Sequence, residues 1–113
     1  MEINPKSSET RIKMTLTEGQ ESTTIDALGE LDNIIVSSLN KVSIIVKSSL
    51  GYLIFHEREH EGTKYYAPRA HVIAPERSLQ HAFQFDKFFL NEPIEIIVNG
   101  RKGEEVSILI RFC

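Results

Sequence analysis

Apolar and polar residues alternate with a period of two through much of this chain. Between Arg11 and Thr17, Ile12, Met14 and Leu16 fall on one side and Arg11, Lys13, Thr15 and Thr17 on the other. That is the pattern of a strand with one buried face. Glu18-Gly19-Gln20-Glu21 predicts a turn, and Ser22 to Leu28 a weaker strand ending at Gly29. Near the C-terminus, Ile94, Ile96 and Val98 precede a turn over Asn99 to Gly103. Val106, Ile108, Ile110 and Phe112 follow it, so this region predicts a hairpin.

Residues 31–49 carry two patterns at once. Leu31, Ile34, Ile35, Leu39, Val42, Ile45 and Val46 share one helical face behind Asp32 as an N-cap. A helix would leave Val36 and Ile44 on its exposed side. The segment also holds seven β-branched aliphatic residues, which favour strands. Two strands, about 33–37 and 42–48 joined around Leu39-Asn40-Lys41, are the favoured reading, with a helix as the alternative.

Tyr52 to Glu59 reads as a strand leaving the core for solvent. Glu61-Gly62 predicts a tight turn, Lys64 to Ala67 a return strand, and Pro68 a bend or edge position before Ala70 to Ile73. Ala74 to Ser78 reads as a loop. Leu79 to Leu90 holds four of the six phenylalanines. Phe83 and Phe85 alternate like a strand, Phe88 and Phe89 suggest a bulge or corner, and Asn91-Glu92-Pro93 breaks the run. Turn signals at intervals of about 8–12 residues predict an all-β fold. The expectation is a single-domain β-sandwich over 11–113, jelly-roll-like or Greek-key, with seven to nine short antiparallel strands. Residues 1–10, polar with one proline, are expected to form a flexible N-terminal arm.

At 113 residues the chain is long enough to bury a core without disulfides or metal. Its net charge of −3 is uneven: residues 1–32 carry seven acids and three bases, the remainder nine acids and ten bases. Nucleic-acid binding requires a basic surface that displaces phosphate counterions, and no basic cluster occurs here. Cys113 is the single cysteine, so no internal disulfide can form. The first ten residues lack the apolar run of a signal peptide, and no apolar stretch approaches the length of a membrane span. A cytoplasmic protein, or one built into an intracellularly assembled particle, is the expectation.

One segment matches a catalytic signature. His56-Glu57-Arg58-Glu59-His60 has the H-E-x-x-H pattern of zinc metallopeptidases. On a helix, residues four apart share a face and can hold one ion, with Glu57 as general base. On a strand, positions 56 and 60 lie about 13 Å apart. Gly51 and Gly62 flank the motif where a helix should be running, which favours a strand, with His56, Arg58 and His60 facing one side and Glu57 and Glu59 the other. All four histidines (His56, His60, His71, His81) fall within 26 residues. Glu76, His71 and His81 are candidate third ligands for the zinc of the H-E-x-x-H reading, whereas a small cupin-like barrel could bind metal through His56, His60 and His71, or through His81. If Glu59 pairs with Lys64, however, the histidines are spread over the sheet. No nucleophile elbow and no phosphate-binding glycine loop are present.

Tyrosine and arginine are enriched at interface hot spots, which makes Tyr65, Tyr66, Arg69 and Arg77 candidate interface residues. One of the two adjacent tyrosines should face the core and the other solvent. The functional expectation is a non-enzymatic protein-interaction or assembly module without a cofactor. By fold analogy alone it could be a virion or tail component. Homo-oligomerisation is expected because exposed sheet edges need cover. The alternatives are a zinc-dependent hydrolase using His56, Glu57 and His60, and the cupin-like metal site.

Overall fold

A computed structural model of the chain describes residues 8–73 and 83–113. In chain order the strands are β1 (Ser8–Thr15), β2 (Gln20–Ser48), β3 (Leu53–Tyr66), β4 (Ala70–Ile73), β5 (Phe83–Asp86), β6 (Phe89–Asn99) and β7 (Glu105–Phe112). The described residues contain no helix, so the fold is all-β. β1 begins three residues earlier than the alternation suggested. Ser8, Glu9 and Thr10 pair with Phe112, Arg111 and Ile110, and are strand rather than arm.

All pairings among the described residues are antiparallel, and those of the larger sheet fall into two groups that share β2 and β3. In the first ladder, β6 lies between residues 20–30 and residues 43–48 of β2. The latter pair in turn with residues 53–57 of β3. In the second ladder the order is β1, β7, residues 31–38 of β2, then residues 62–66 of β3. β4 and β5 pair with each other. Two of the strands are thus long and bent rather than short. β2 runs unbroken for 29 residues and passes from the first ladder to the second and back.

Bulges make these passages possible, because an extra residue reverses which side chains face inward. Ala27 and Leu31 are buried at odd positions of β2. A register shift between Leu31 and Asn33 inserts Asp32, after which the even positions Ile34, Val36, Val42, Ile44 and Val46 are buried. That three-residue step from 31 to 34 is what resembled a helix. Val36 and Ile44, which a helix would have exposed, have no exposed surface. Nor does the chain turn back at Leu39-Asn40-Lys41. Residues 38 to 42 of β2 span the same stretch as only 62 to 60 of β3, so β2 takes the longer path around a shared corner.

The core is aliphatic. Met14 and Leu16 meet the buried residues of β2 together with Ile54, Leu90, Ile94, Ile96, Val98, Val106, Ile108, Ile110 and Phe112. Each fully buried Val, Leu or Ile contributes about 1.5–3 kcal/mol relative to exposure. β6 continues through Asn91-Glu92-Pro93 instead of breaking there; Pro93 sits opposite Asp26 and is exposed.

β6 and β7 do not form the predicted hairpin: β6 pairs with β2, and β7 with β1 and β2. The connection at residues 100–104 is an arch from one ladder to the other, as is the connection from β1 to β2. The two arches lie side by side. Gly100 N donates to Gly19 O at 2.9 Å, Gly103 N to Leu16 O at 2.7 Å and Leu16 N to Glu104 O at 2.8 Å. The Glu104 side chain, 7% exposed, ties them to the β2 corner. Its Oε2 accepts from Leu39 N and Asn40 N, both at 3.1 Å, and its Oε1 from Asn40 Nδ2 at 2.9 Å. These donors hold its carboxyl below the usual glutamate range. The Asn40 side chain has the largest effect, and Arg101 adds a smaller electrostatic one.

Candidate functional site

The H-E-x-x-H segment lies on β3, in extended conformation. Its two histidines do not share a face. His56 is exposed opposite Ile45, whereas His60 is fully buried opposite Val42. From Val42 to Ile44 β2 advances two residues while β3 advances three, from His60 to Glu57. The extra residue in the Arg58-Glu59 stretch reverses the alternation, so His60 leaves the face of His56 and Arg58 and turns inward. The expected outward placement of His60 is therefore corrected by a bulge that the periodicity did not show.

The predicted turn at Glu61-Gly62 is also a continuation of the strand. Gly62, with φ of +80°, bends β3 from one ladder into the other, and Lys64 pairs with Val36 rather than with Glu59. His60 fastens this bend. Its Nε2 lies 2.7 Å from Gly62 O and its Nδ1 2.6 Å from Tyr66 Oη. A carbonyl only accepts, so Nε2 carries a proton and donates it; in the neutral ring Nδ1 accepts from the tyrosine hydroxyl. The Phe55 and Tyr66 rings are 4.7 Å apart and those of His60 and Tyr66 5.6 Å. Burial raises the Tyr66 hydroxyl above its ordinary pKa, and the nearby Glu57 carboxylate adds to the rise.

With both ring nitrogens engaged and His56 on the opposite face, the pair cannot share one ion in this conformation. Among the described residues no group of three or more His, Cys, Asp and Glu is placed to hold a metal. His71 lies in β4 opposite Phe85. His81, Glu76 and Arg77 lie outside the described residues.

The two tyrosines divide as adjacent residues on a strand must. Tyr66 packs against the core, while Tyr65 is 61% exposed. Tyr66 thus belongs to the interior of the β3 bend rather than to a contact surface. Arg69 is half-buried, its Nη1 donating to Asp32 O at 3.1 Å and Pro68 O at 2.8 Å. It fastens the chain after β3 to the bulge in β2.

Tyr65 has neighbours that composition alone did not identify. On the solvent face of the second ladder the register aligns Arg11 with Leu109, Leu109 with Ile35, and Ile35 with Tyr65. The next row is Lys13, Ser107, Ser37 and Thr63, with the Ser37 and Thr63 hydroxyls 2.8 Å apart. A shallow depression of about 540 Å³ is lined by side chains of both rows, among them Arg11, Lys13, Ile35 and Leu109. An apolar strip of Leu109, Ile35 and Tyr65 thus crosses three strands, with Arg11 at one end.

A sequence signal for this strip did exist. Ile34-Ile35-Val36 and Ile108-Leu109-Ile110 are apolar triplets where alternation calls for a polar middle residue. Ile44-Ile45-Val46 and Ile96-Ile97-Val98 are two more, and their middle residues align across the first ladder with His56 at the end of the row. That second strip has no aromatic residue.

No protein-family model matches the chain, and no curated protein matches it. Among solved structures it is similar to the pre-peptidase C-terminal domain of a collagenase from Bacillus anthracis, at 14% identity and a TM-score of 0.47. The similarity covers 90% of this chain and 87% of that one.

Proposed function

We propose that the chain is a protein-interaction or assembly module whose contact surface is the solvent face of the second ladder. In this reading the two ladders stack as the layers of a β-sandwich, with jelly-roll-like passages where β2 and β3 change layer. The observation that carries it is the alignment of Leu109, Ile35 and Tyr65 across the solvent face, with Tyr65 exposed and the two aliphatic residues half-buried. Side chains on that face should be polar unless something covers them. An exposed tyrosine beside aliphatic residues and an arginine has the composition of an interface hot spot.

The test compares wild-type protein with Ile35→Asp and Leu109→Asp as bait in extracts of the source cells. A retained protein is identified by mass spectrometry, purified, and its affinity measured directly. Both variants should weaken that affinity at least tenfold, as expected for a buried charge lacking a partner. Equal affinity for wild type and variants removes this face from the function.

A further inference from the structure

We infer that the solvent face of the β1–β7–β2–β3 ladder binds a second copy of this chain about a two-fold axis parallel to the strands. This rests on the interaction reading above and names the partner. Across the four strands one row reads Arg11, Leu109, Ile35, Tyr65. A two-fold axis along the strands, between β7 and β2, lays that row over its own reverse. Arg11 of each copy then meets Tyr65 of the other, and Leu109 meets Ile35. The order is its own complement: a cation over an aromatic face at both ends, aliphatic on aliphatic between them.

The neighbouring row behaves the same way. Lys13 of one copy lies over Thr63 of the other, and Ser107 over Ser37. These hydroxyl side chains are small enough for the sheets to approach. Arg11 is available for the exchange. Its side chain is 79% exposed, and its ion pair with Glu9, at 3.3 Å, lies at the surface where such pairs contribute little.

Size sets the expected strength. Two rows cross all four strands, because β3 pairs in this ladder only over residues 62–66; with strands about 4.8 Å apart and rows about 6.7 Å apart they cover roughly 260 Å² per copy. The total of about 500 Å² is below that of a stable interface, so the dimer should form only at high concentration and dissociate on dilution.

The mass by light scattering, over a wide dilution series, should rise from 12.9 kDa towards twice that value. Geometry is tested in a Cys113→Ser background with Arg11→Cys and Tyr65→Cys proteins, each alone and mixed, treated with a short bismaleimide. Facing sheets lie about 10 Å apart, too far for a direct disulfide but within reach of a linker of roughly 8 Å between thiols. In the proposed pairing only the mixture forms a cross-linked dimer, because two copies of position 11, or of position 65, are displaced by a further three strand spacings, about 14 Å. The mixed dimer also keeps one intact Arg11–Tyr65 pair. Both substituted residues are exposed, and far-ultraviolet circular dichroism checks that the variants remain folded.

A mass that rises together with cross-linking of the mixture alone supports the proposal. A strict monomer at every concentration overturns it, as does a dimer in which the mixture does not cross-link or the single variants do. The interaction reading fails separately, when Ile35→Asp and Leu109→Asp leave the affinity for a purified partner unchanged.

Discussion

Replacing Glu104 should separate two contributions to stability, one from hydrogen bonding and one from charge. The carboxylate accepts three hydrogen bonds from the β2 corner and lies where both inter-ladder arches meet. A hydrogen bond to a charged group contributes about 1.5–3 kcal/mol. The full sum overstates the loss in Glu104→Ala, because water can reach part of the corner; Leu39 is 83% exposed. A loss of about 2–4 kcal/mol is expected, against a total of about 5–15 kcal/mol for a domain of this kind. With roughly 4 °C per kcal/mol, the melting temperature should fall by about 8–16 °C. Glu104→Gln keeps the shape and one acceptor but no charge, and should lose about 1–2 kcal/mol.

The pH dependence distinguishes charge from packing. Because the folded-state pKa of Glu104 is lowered, its contribution is fully present above the unfolded value, near 4.3. It is lost as pH falls from there through the folded value. Protonated wild type then resembles Glu104→Gln, so the gap between the two should close in acid. Urea unfolding at neutral pH and below pH about 4 measures both gaps. A gap that is constant with pH, or an alanine variant within about 0.5 kcal/mol of wild type, would refute the assignment of Glu104 as the clamp of this corner.

At Gly62 an added Cβ meets nothing within 4 Å, so Gly62→Ala tests conformation alone. With φ at +80° it should lose about 1–2 kcal/mol in urea unfolding, and an unchanged midpoint would contradict the bend. The two histidines should differ sharply. His60→Phe leaves Tyr66 Oη and Gly62 O without their partner and should cost about 2–3 kcal/mol, whereas His56→Ala, on the surface, should stay within about 0.5 kcal/mol. Titration of zinc into wild-type protein should show no tight site removed by His56→Ala; one ion per chain held through both histidines would overturn the strand geometry of the motif.

Strand chemistry was legible in the sequence wherever one local rule applied. Apolar residues recur at every second position from Ile12 to Leu16 and from Val106 to Phe112, so Met14, Val106, Ile108 and Ile110 could be assigned to the core directly. The β-branched content of residues 31–49 outweighed an imitation of a helix. One of Tyr65 and Tyr66 had to face solvent, since adjacent strand residues point to opposite sides. The steric preferences behind these readings act over a few residues, and so are written locally.

Tertiary structure decided what depends on distant partners. Whether Glu61-Gly62 reverses the chain or bends it depends on β2, which runs alongside both halves of β3 and takes up their extra residues at its own corner. The same holds for residues 100–104, where an apparent hairpin turn is an arch because β2 and β1 offer their edges to β6 and β7. A bulge between Glu57 and His60 has no local signature, yet it sends one histidine of the motif inward and leaves the other in water. Arg11, Ile35, Leu109 and Tyr65, scattered from residue 11 to residue 109, become one row only when four strands are set in register. Residue chemistry fixed which segments could be strands. Long-range hydrogen-bond pairing fixed which side chains meet.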